Sequence, residues 1–136
     1  FRTAPGHYFS GINALALLHL AAHLGVPQDD EHARQTMAGA VRFAAENEDD
    51  ETQRYWAAVT LGDLEALVGT PEAVTRAYKA AVAVPRVDGF ALQSSRDQLQ
   101  LLQDLGFRPE AVAAGLAVFD RAIARLQPAA RQPRQV

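Results

Sequence analysis

Residues 69–85 read GTPEAVTRAYKAAVAVP, and this stretch carries the signals of a complete helix. Thr70 is a favourable N-cap, Pro71 suits the first helical position, and Glu72 places an acid in the first turn. Pro85 ends the segment because proline cannot continue a helix. The pattern predicts an amphipathic helix with one buried face. That face consists of Ala73, Val74, Ala77, Tyr78, Ala81 and Val82.

Start and stop signals of the same kind predict five more helices. The six predicted helices run from Ser10 to Leu24, from Asp29 or Asp30 to Glu46, from Asp50 to Gly69, from Thr70 to Pro85, from about Phe90 to Leu105 and from Pro109 to Leu126. The first, third and fifth begin near Ser10, Glu51 and Ala91, which gives offsets of 41 and 40 residues. This is the pattern of a helical repeat, although a tetratricopeptide unit has only about 34 residues.

The sequence therefore predicts an all-α, tetratricopeptide-like helical solenoid of about three antiparallel helix pairs over residues 1–126. Within the best-preserved unit, Ala73, Ala77, Ala80 and Pro85 fall where the second helix of such a repeat has small residues and a proline. Residues 127–136 contain proline, glutamine and arginine without an apolar period. We expect this tail to be disordered.

Composition excludes several classes of protein. A chain of 136 residues with 49% hydrophobic residues and no cysteine can form one domain without disulfides. Its net charge of −3 argues against a nucleic-acid partner. The longest apolar stretch, Ile12 to Leu24, is shorter than the ~20 residues that cross a bilayer. We expect a cytoplasmic protein without a membrane segment, and the absence of cysteine is compatible with that compartment.

Three segments resemble a known family. They are Tyr8-Phe9-Ser10-Gly11-Ile12-Asn13-Ala14, then Tyr55-Trp56-Ala57-Ala58-Val59-Thr60 with Glu65, and Arg96-Asp97-Gln98-Leu99. Together they resemble the tetratricopeptide-like TRAF-binding region of the apoptosis signal-regulating MAP kinase kinase kinases and of related bacterial multidomain proteins. The resemblance spans about residues 7–126, but Leu15 replaces the usual small residue and the acidic turn at 46–51 departs from the pattern. It implies a non-catalytic regulatory and protein-interaction module of a larger signalling or defence protein.

Five polar or amphipathic residues stand in otherwise aliphatic stripes near the starts of the repeats: Tyr8, Asn13, Trp56, Thr60 and Arg96. One interpretation is structural, because buried polar groups mostly satisfy one another. The other is a concave groove that binds a protein or peptide partner. Exposure of Trp56 and Arg96 on one concave surface would favour the groove, and mutual hydrogen bonding inside the protein would favour the structural role.

The rival hypothesis is a small hydrolase or metal-dependent enzyme. His19 and His23 are four residues apart on a helix, a spacing that can place two imidazoles on one metal ion, but no third ligand is evident. Ser94 and Ser95 lie within a helical pattern that supplies no base or oxyanion site. The sequence also has no nucleophile elbow, phosphate loop or dinucleotide fingerprint. We therefore expect no catalytic residue, metal or cofactor.

The first helix is apolar on nearly every side between Ile12 and Leu24. Such a helix is normally buried all round, whereas a terminal solenoid helix should be partly exposed. This conflict predicts further helices before Phe1 in a longer protein. It also predicts self-association through the first helix, which would make the chain a homotypic oligomerisation module as a third alternative.

Overall fold

A computed structural model describes residues 7–25 and 31–126, with side chains from Gly11 onward. These residues form six α-helices and no strand. The helices are α1 (His7–His23), α2 (Glu31–Glu46), α3 (Arg54–Val68), α4 (Pro71–Val82), α5 (Gly89–Asp104) and α6 (Pro109–Leu126), and a 3₁₀ turn (Glu51–Gln53) precedes α3. The predicted all-helical class and the number of helices are confirmed, while the predicted tail lies outside the described residues.

Local capping explains several of the helix starts. The Thr70 hydroxyl accepts a hydrogen bond from the backbone N–H of Ala73 at 3.0 Å, and the Asp88 carboxylate accepts one from Ala91 at 2.8 Å. Asp50 also acts as a cap, but it accepts from the N–H of Thr52 and begins the 3₁₀ turn instead of α3 itself. The first helix begins at His7, three residues before the predicted start at Ser10.

The helices pack around α3, α4 and α6. Helix α1 lies against α2 and α3, α3 pairs with α4, and α6 contacts α3, α4 and α5. The pair formed by α5 and α6 thus contacts the other four helices mainly through α6. Tyr78 and Phe119 are fully buried, and their ring centroids are 4.8 Å apart.

Two glycines allow α3 and α6 to approach the Tyr78 ring. A Cβ atom on Gly62 would overlap the ring, and a Cβ on Gly115 would lie 2.7 Å from Tyr78 Cε2. Contacts that short do not occur between unstrained carbon atoms, since the optimum is ~3.5–4.0 Å. Glycine at both positions therefore sets the spacing of α3, α4 and α6.

Arg108 joins the loop before α6 to the end of α3. Its guanidinium donates to the carbonyl oxygens of Glu65, Ala66 and Gly69. The Glu65 carbonyl also accepts a hydrogen bond from the Gly69 backbone N–H at 2.6 Å. Arg108 thus adds donors at a helix C-terminus, where the last carbonyls lack the usual partners within the helix. Arg108 has a φ of 37°, a strained value for a non-glycine residue, so tertiary contacts hold this backbone conformation.

Across the described ranges, no helix combines the length and the apolar character needed to cross a bilayer.

Candidate functional site

The main candidate site is a groove bounded by α1, α3 and α5, which encloses a cavity of about 300 Å³. Helices α1 and α3 touch directly, whereas α5 packs mainly on α6 and contacts α3 through side chains. The groove is lined by Ile12, Asn13, Ala16, Leu17, Leu20, Asp63, Ala66, Leu67, Gln98, Leu99, Leu101 and Leu102. Most of these side chains are apolar, so the groove offers a hydrophobic floor with polar groups from each of the three helices.

Two leucines on opposite sides of the groove are largely exposed. Leu17 on α1 is 68% exposed and Leu101 on α5 is 59% exposed, although both line the cavity. On the same first helix, Ile12 and Leu15 are buried. Within the groove, the first helix therefore contributes both a buried side chain, Ile12, and a largely exposed one, Leu17. Clustered exposed apolar groups of this kind mark binding surfaces.

The groove continues at one end into a smaller polar cavity of about 60 Å³. Asn13, Trp56, Asp63, Ser95 and Gln98 contribute to its lining. The hydroxyls of Tyr55 and Ser95 lie 2.9 Å apart in a hydrogen bond, and Ser95 also donates to the Ala91 carbonyl at 3.1 Å. This end of the groove is consequently built from hydroxyl, amide and carboxyl groups.

Asp63 is the acidic group of the groove, and it is half-buried. Its Oδ1 accepts a hydrogen bond of 2.5 Å from the hydroxyl of Tyr78. Burial raises the pKa of Asp63 to about 6, although the hydrogen bond from Tyr78 acts in the opposite direction. Burial, followed by the nearby Asp63 carboxylate, raises the pKa of Tyr78 well above its usual value. Burial also raises the pKa of Tyr55 to about 12, so both tyrosines remain neutral donors at physiological pH.

Four of the five sequence-predicted site residues have side chains that the structure describes, and two of these four line one cavity. Asn13 and Trp56 line the same small cavity, and the Trp56 ring packs edge-on against Tyr55 with centroids 4.8 Å apart. Thr60 is fully buried, and its hydroxyl donates to the Trp56 carbonyl at 2.9 Å. The side chain of Tyr8 lies outside the described residues.

Arg96 points away from the groove. Its Nε donates to Oδ1 of Asp120 on α6 at 2.6 Å, while Gln98 and Leu99 of the same helix line the groove. Two residues along a helix correspond to a rotation of about 200°, which places Arg96 opposite Gln98. Arg96 and Trp56 therefore do not share one exposed surface in this structure.

His19 and His23, the two histidines of the metal-enzyme hypothesis, lie in different environments. Nε2 of His23 lies 3.2 Å from the Leu105 carbonyl oxygen, and its ring packs edge-on against Phe107. Burial lowers the pKa of His19, and the charges of Arg34 and Arg108 lower it further. In the part of the chain that the structure describes, no three histidine, aspartate or glutamate side chains are grouped so as to hold a metal ion.

Sequence reasoning singled out the apolar first helix, which carries Leu17, as an association surface, but it missed Asp63, Gln98 and Leu101. Asp63 follows Trp56 and Val59 at seven and four residues, so all three fall on one face of α3. An acidic residue on the same helix face as Trp56 and Val59 is a sequence pattern that could have identified Asp63 as a site residue. The pairing of Leu17 with Leu101 has no comparable local pattern, because the two residues lie on helices far apart in the chain.

Comparison with protein-family models, with curated proteins and with solved structures finds no match to this chain. The groove, its polar end and the sequence pattern are therefore the observations from which a function can be inferred.

Proposed function

We propose that this chain is a non-catalytic protein-interaction module, and that its groove binds an amphipathic helix of a protein partner. The observation that carries the proposal is the groove itself, an apolar cavity of about 300 Å³ between three helices with Leu17 and Leu101 exposed beside it. Helices commonly bind other proteins by laying an apolar face into a groove of this kind. The resemblance described above supports a regulatory role in a larger, cytoplasmic signalling or defence protein.

The length of the groove limits what it can hold. On α1 its lining runs from Ile12 to Leu20, which at 1.5 Å per residue is about 12 Å, or slightly more than two helical turns. Two turns of a bound helix present apolar side chains at positions i, i+3 or i+4, and i+7. We therefore expect the partner to insert two or three such side chains between Leu17 and Leu101.

The polar end of the groove favours a basic residue beside the apolar ones. Asp63, Asn13 and Gln98 present a carboxylate and two amides there. With a pKa of about 6, Asp63 is mostly ionised at pH 7 and can accept a hydrogen bond from lysine or arginine. A basic flank thus distinguishes the expected partner from a purely apolar helix.

The experiment is a selection from a display library of helical peptides on the purified 136-residue chain, followed by affinity measurement with variants. Leu17→Glu and Leu101→Glu should each weaken a selected peptide at least about tenfold, since each places a charge where an apolar side chain is buried on binding. Asp63→Asn should weaken peptides that carry the basic residue more than peptides that lack it.

Phe43→Glu is the matched control, because Phe43 is 70% exposed on α2 and does not line the groove. It should leave the affinity unchanged. Selected peptides that bind equally well to the Leu17, Leu101 and control variants would contradict the proposal. A concentration-dependent dimer that Leu17→Glu dissociates and that excludes the peptide would instead support homotypic oligomerisation through α1.

A further inference from the structure

The small polar cavity of about 60 Å³ at one end of the groove contains a carboxylate without a cationic partner. Asp63 lines both this cavity and the groove. Within the described ranges the ion pairs involve other acidic residues, and no cationic side chain pairs with Asp63. Carboxylates that are removed from bulk water are usually paired with a positive charge. A cation supplied by the binding partner would therefore complete this site.

The two carboxylate oxygens of Asp63 have different surroundings. Oδ1 accepts a hydrogen bond of 2.5 Å from the hydroxyl of Tyr78, which is fully buried, so Oδ1 is directed toward the interior. Oδ2 accepts no hydrogen bond from the residues that the structure describes. Among those residues, the one fully buried side-chain nitrogen or oxygen that lacks a partner belongs to Arg34. Oδ2 is therefore not fully buried, and it belongs to a residue that lines both cavities.

Neutral hydrogen-bond acceptors surround the space beside Asp63. Asn13 from α1 and Gln98 from α5 each contribute an amide group to the lining, and Ser94 contributes a hydroxyl. An ammonium group has three N–H donors and no acceptor, which matches one carboxylate and the neutral oxygens around it. Trp56 forms part of the same wall, where its ring can contact the methylene groups of a lysine side chain.

The volume of the cavity separates lysine from arginine. One water molecule occupies about 30 Å³ in the liquid, so a cavity of about 60 Å³ holds roughly two groups of that size. The ammonium group of lysine and the adjacent methylene are two such groups, whereas a guanidinium group consists of a carbon and three nitrogens.

The hydrogen bond from Tyr78 favours lysine for a second reason. Arginine binds carboxylates strongly because it can form two parallel hydrogen bonds, one to each oxygen. Since Tyr78 holds Oδ1 toward the interior, Asp63 does not present both oxygens to the cavity. A lysine needs only Oδ2, because its ammonium group acts as a compact point charge.

We propose that the small polar cavity selects a lysine of the partner helix, in preference to an arginine, and that the ammonium group binds Oδ2 of Asp63. This inference rests on the proposed function, since the apolar contacts of the groove hold the helix that carries the lysine. With a pKa of about 6, Asp63 is mostly ionised at pH 7.5 and supplies the negative charge. The basic flank proposed above is thereby narrowed to one kind of side chain.

The test compares three versions of one peptide from the selection, with lysine, arginine or norleucine at its basic position. Norleucine has a stem like that of lysine but no ammonium group. Isothermal titration calorimetry at pH 7.5 gives the dissociation constant of each peptide for the full chain. The lysine peptide should bind at least about threefold more tightly than the arginine peptide, because the second hydrogen bond of arginine is not available. It should bind at least about tenfold more tightly than the norleucine peptide, as expected for one charge-assisted hydrogen bond.

Asp63→Asn tests whether the carboxylate is the lysine ligand. The variant keeps an oxygen for the Tyr78 hydroxyl but removes the charge, so most of the preference for lysine over norleucine should disappear. Asp49→Asn is the matched control, because it removes an exposed carboxylate that lines neither cavity, and it should leave the preference unchanged. A preference for lysine that persists in Asp63→Asn would overturn the inference. An arginine peptide that binds as tightly as the lysine peptide, or a selection that yields no basic residue, would also overturn it.

Leu17→Glu separates a failure of this inference from a failure of the proposed function. If the variant weakens all three peptides while lysine and arginine bind equally well, the groove binds the helix and only the selection of lysine is wrong. If the variant weakens none of them, the groove is not the binding surface and both proposals are wrong.

Discussion

Replacement of Asp63 by asparagine should stabilise the fold at neutral pH. Burial raises the pKa of Asp63 from 3.8 to about 6. A shift of about two units corresponds to roughly 3 kcal/mol, at ~1.4 kcal/mol for each unit. This is an upper value, because Asp63 lines both cavities and keeps some contact with solvent. Asparagine carries no charge and keeps an oxygen that can accept the hydrogen bond from Tyr78.

The sign of the effect follows from linkage between protonation and folding. A group whose pKa is higher in the folded protein favours folding most below its unfolded pKa. The contribution of Asp63 is thus fully present below pH 3.8 and is lost as the pH rises through about 6. The stability difference between Asp63→Asn and the parent protein should be near zero at pH 3.5 and should increase to about 2–3 kcal/mol at pH 7.5.

Urea unfolding followed by the fluorescence of Trp56, the single tryptophan, measures this difference at each pH. Asp49→Asn, which removes an exposed carboxylate from the loop before α3, controls for the change in net charge and should alter stability by no more than ~0.5 kcal/mol. A variant that is less stable than the parent at pH 7.5, or a difference that does not vary with pH, would refute this reasoning. A carboxylate that destabilises the fold is understandable if it contributes to binding in the groove.

Other parts of the structure give further predictions. In thermal unfolding, Gly62→Ala should destabilise the protein by ~1–3 kcal/mol because its methyl group would overlap the Tyr78 ring. Gly39→Ala is the control, because a Cβ there meets no atom within 4 Å, and it should be neutral or stabilising. Equal effects at the two glycines would contradict the close packing of α3 on α4. Arg108→Met should lower the free energy of unfolding by ~1–3 kcal/mol in urea, because three carbonyls at the end of α3 lose a charged donor. An unchanged free energy of unfolding would show that water replaces the guanidinium as the donor. Elemental analysis of the purified protein should find no stoichiometric metal. A bound metal that is lost on His23→Ala would support the hypothesis of a metal-dependent enzyme instead.

The helix boundaries could be predicted because their signals are local. Thr70 caps α4 through Ala73, three residues away, and Gly106 adopts a φ of 72° just after α5 ends. The burial of Tyr78 could also be predicted from the apolar stripe of its own helix. Each of these features depends on residues within a turn or two of one another.

Other features depend on contacts between distant residues, which local patterns do not report. Arg108 contacts the end of α3 about 40 residues earlier in the chain, and Arg96 pairs with Asp120, 24 residues later. The central position of α6 likewise follows from tertiary packing. For the same reason the sequence placed Arg96 in the predicted site, whereas the structure places Asp63 and Leu101 in the groove instead.

The central claim, that the groove binds an amphipathic helix, is tested most directly by NMR mapping of a selected peptide on the labelled chain. Binding in the groove should shift and protect signals from residues 12–20 of α1 and 98–102 of α5, with contacts between the peptide and the methyl groups of Leu17 and Leu101. Shifts confined to α2 around Phe43, or to α6 around Asp120, would show that the groove is not the binding surface and would contradict the claim.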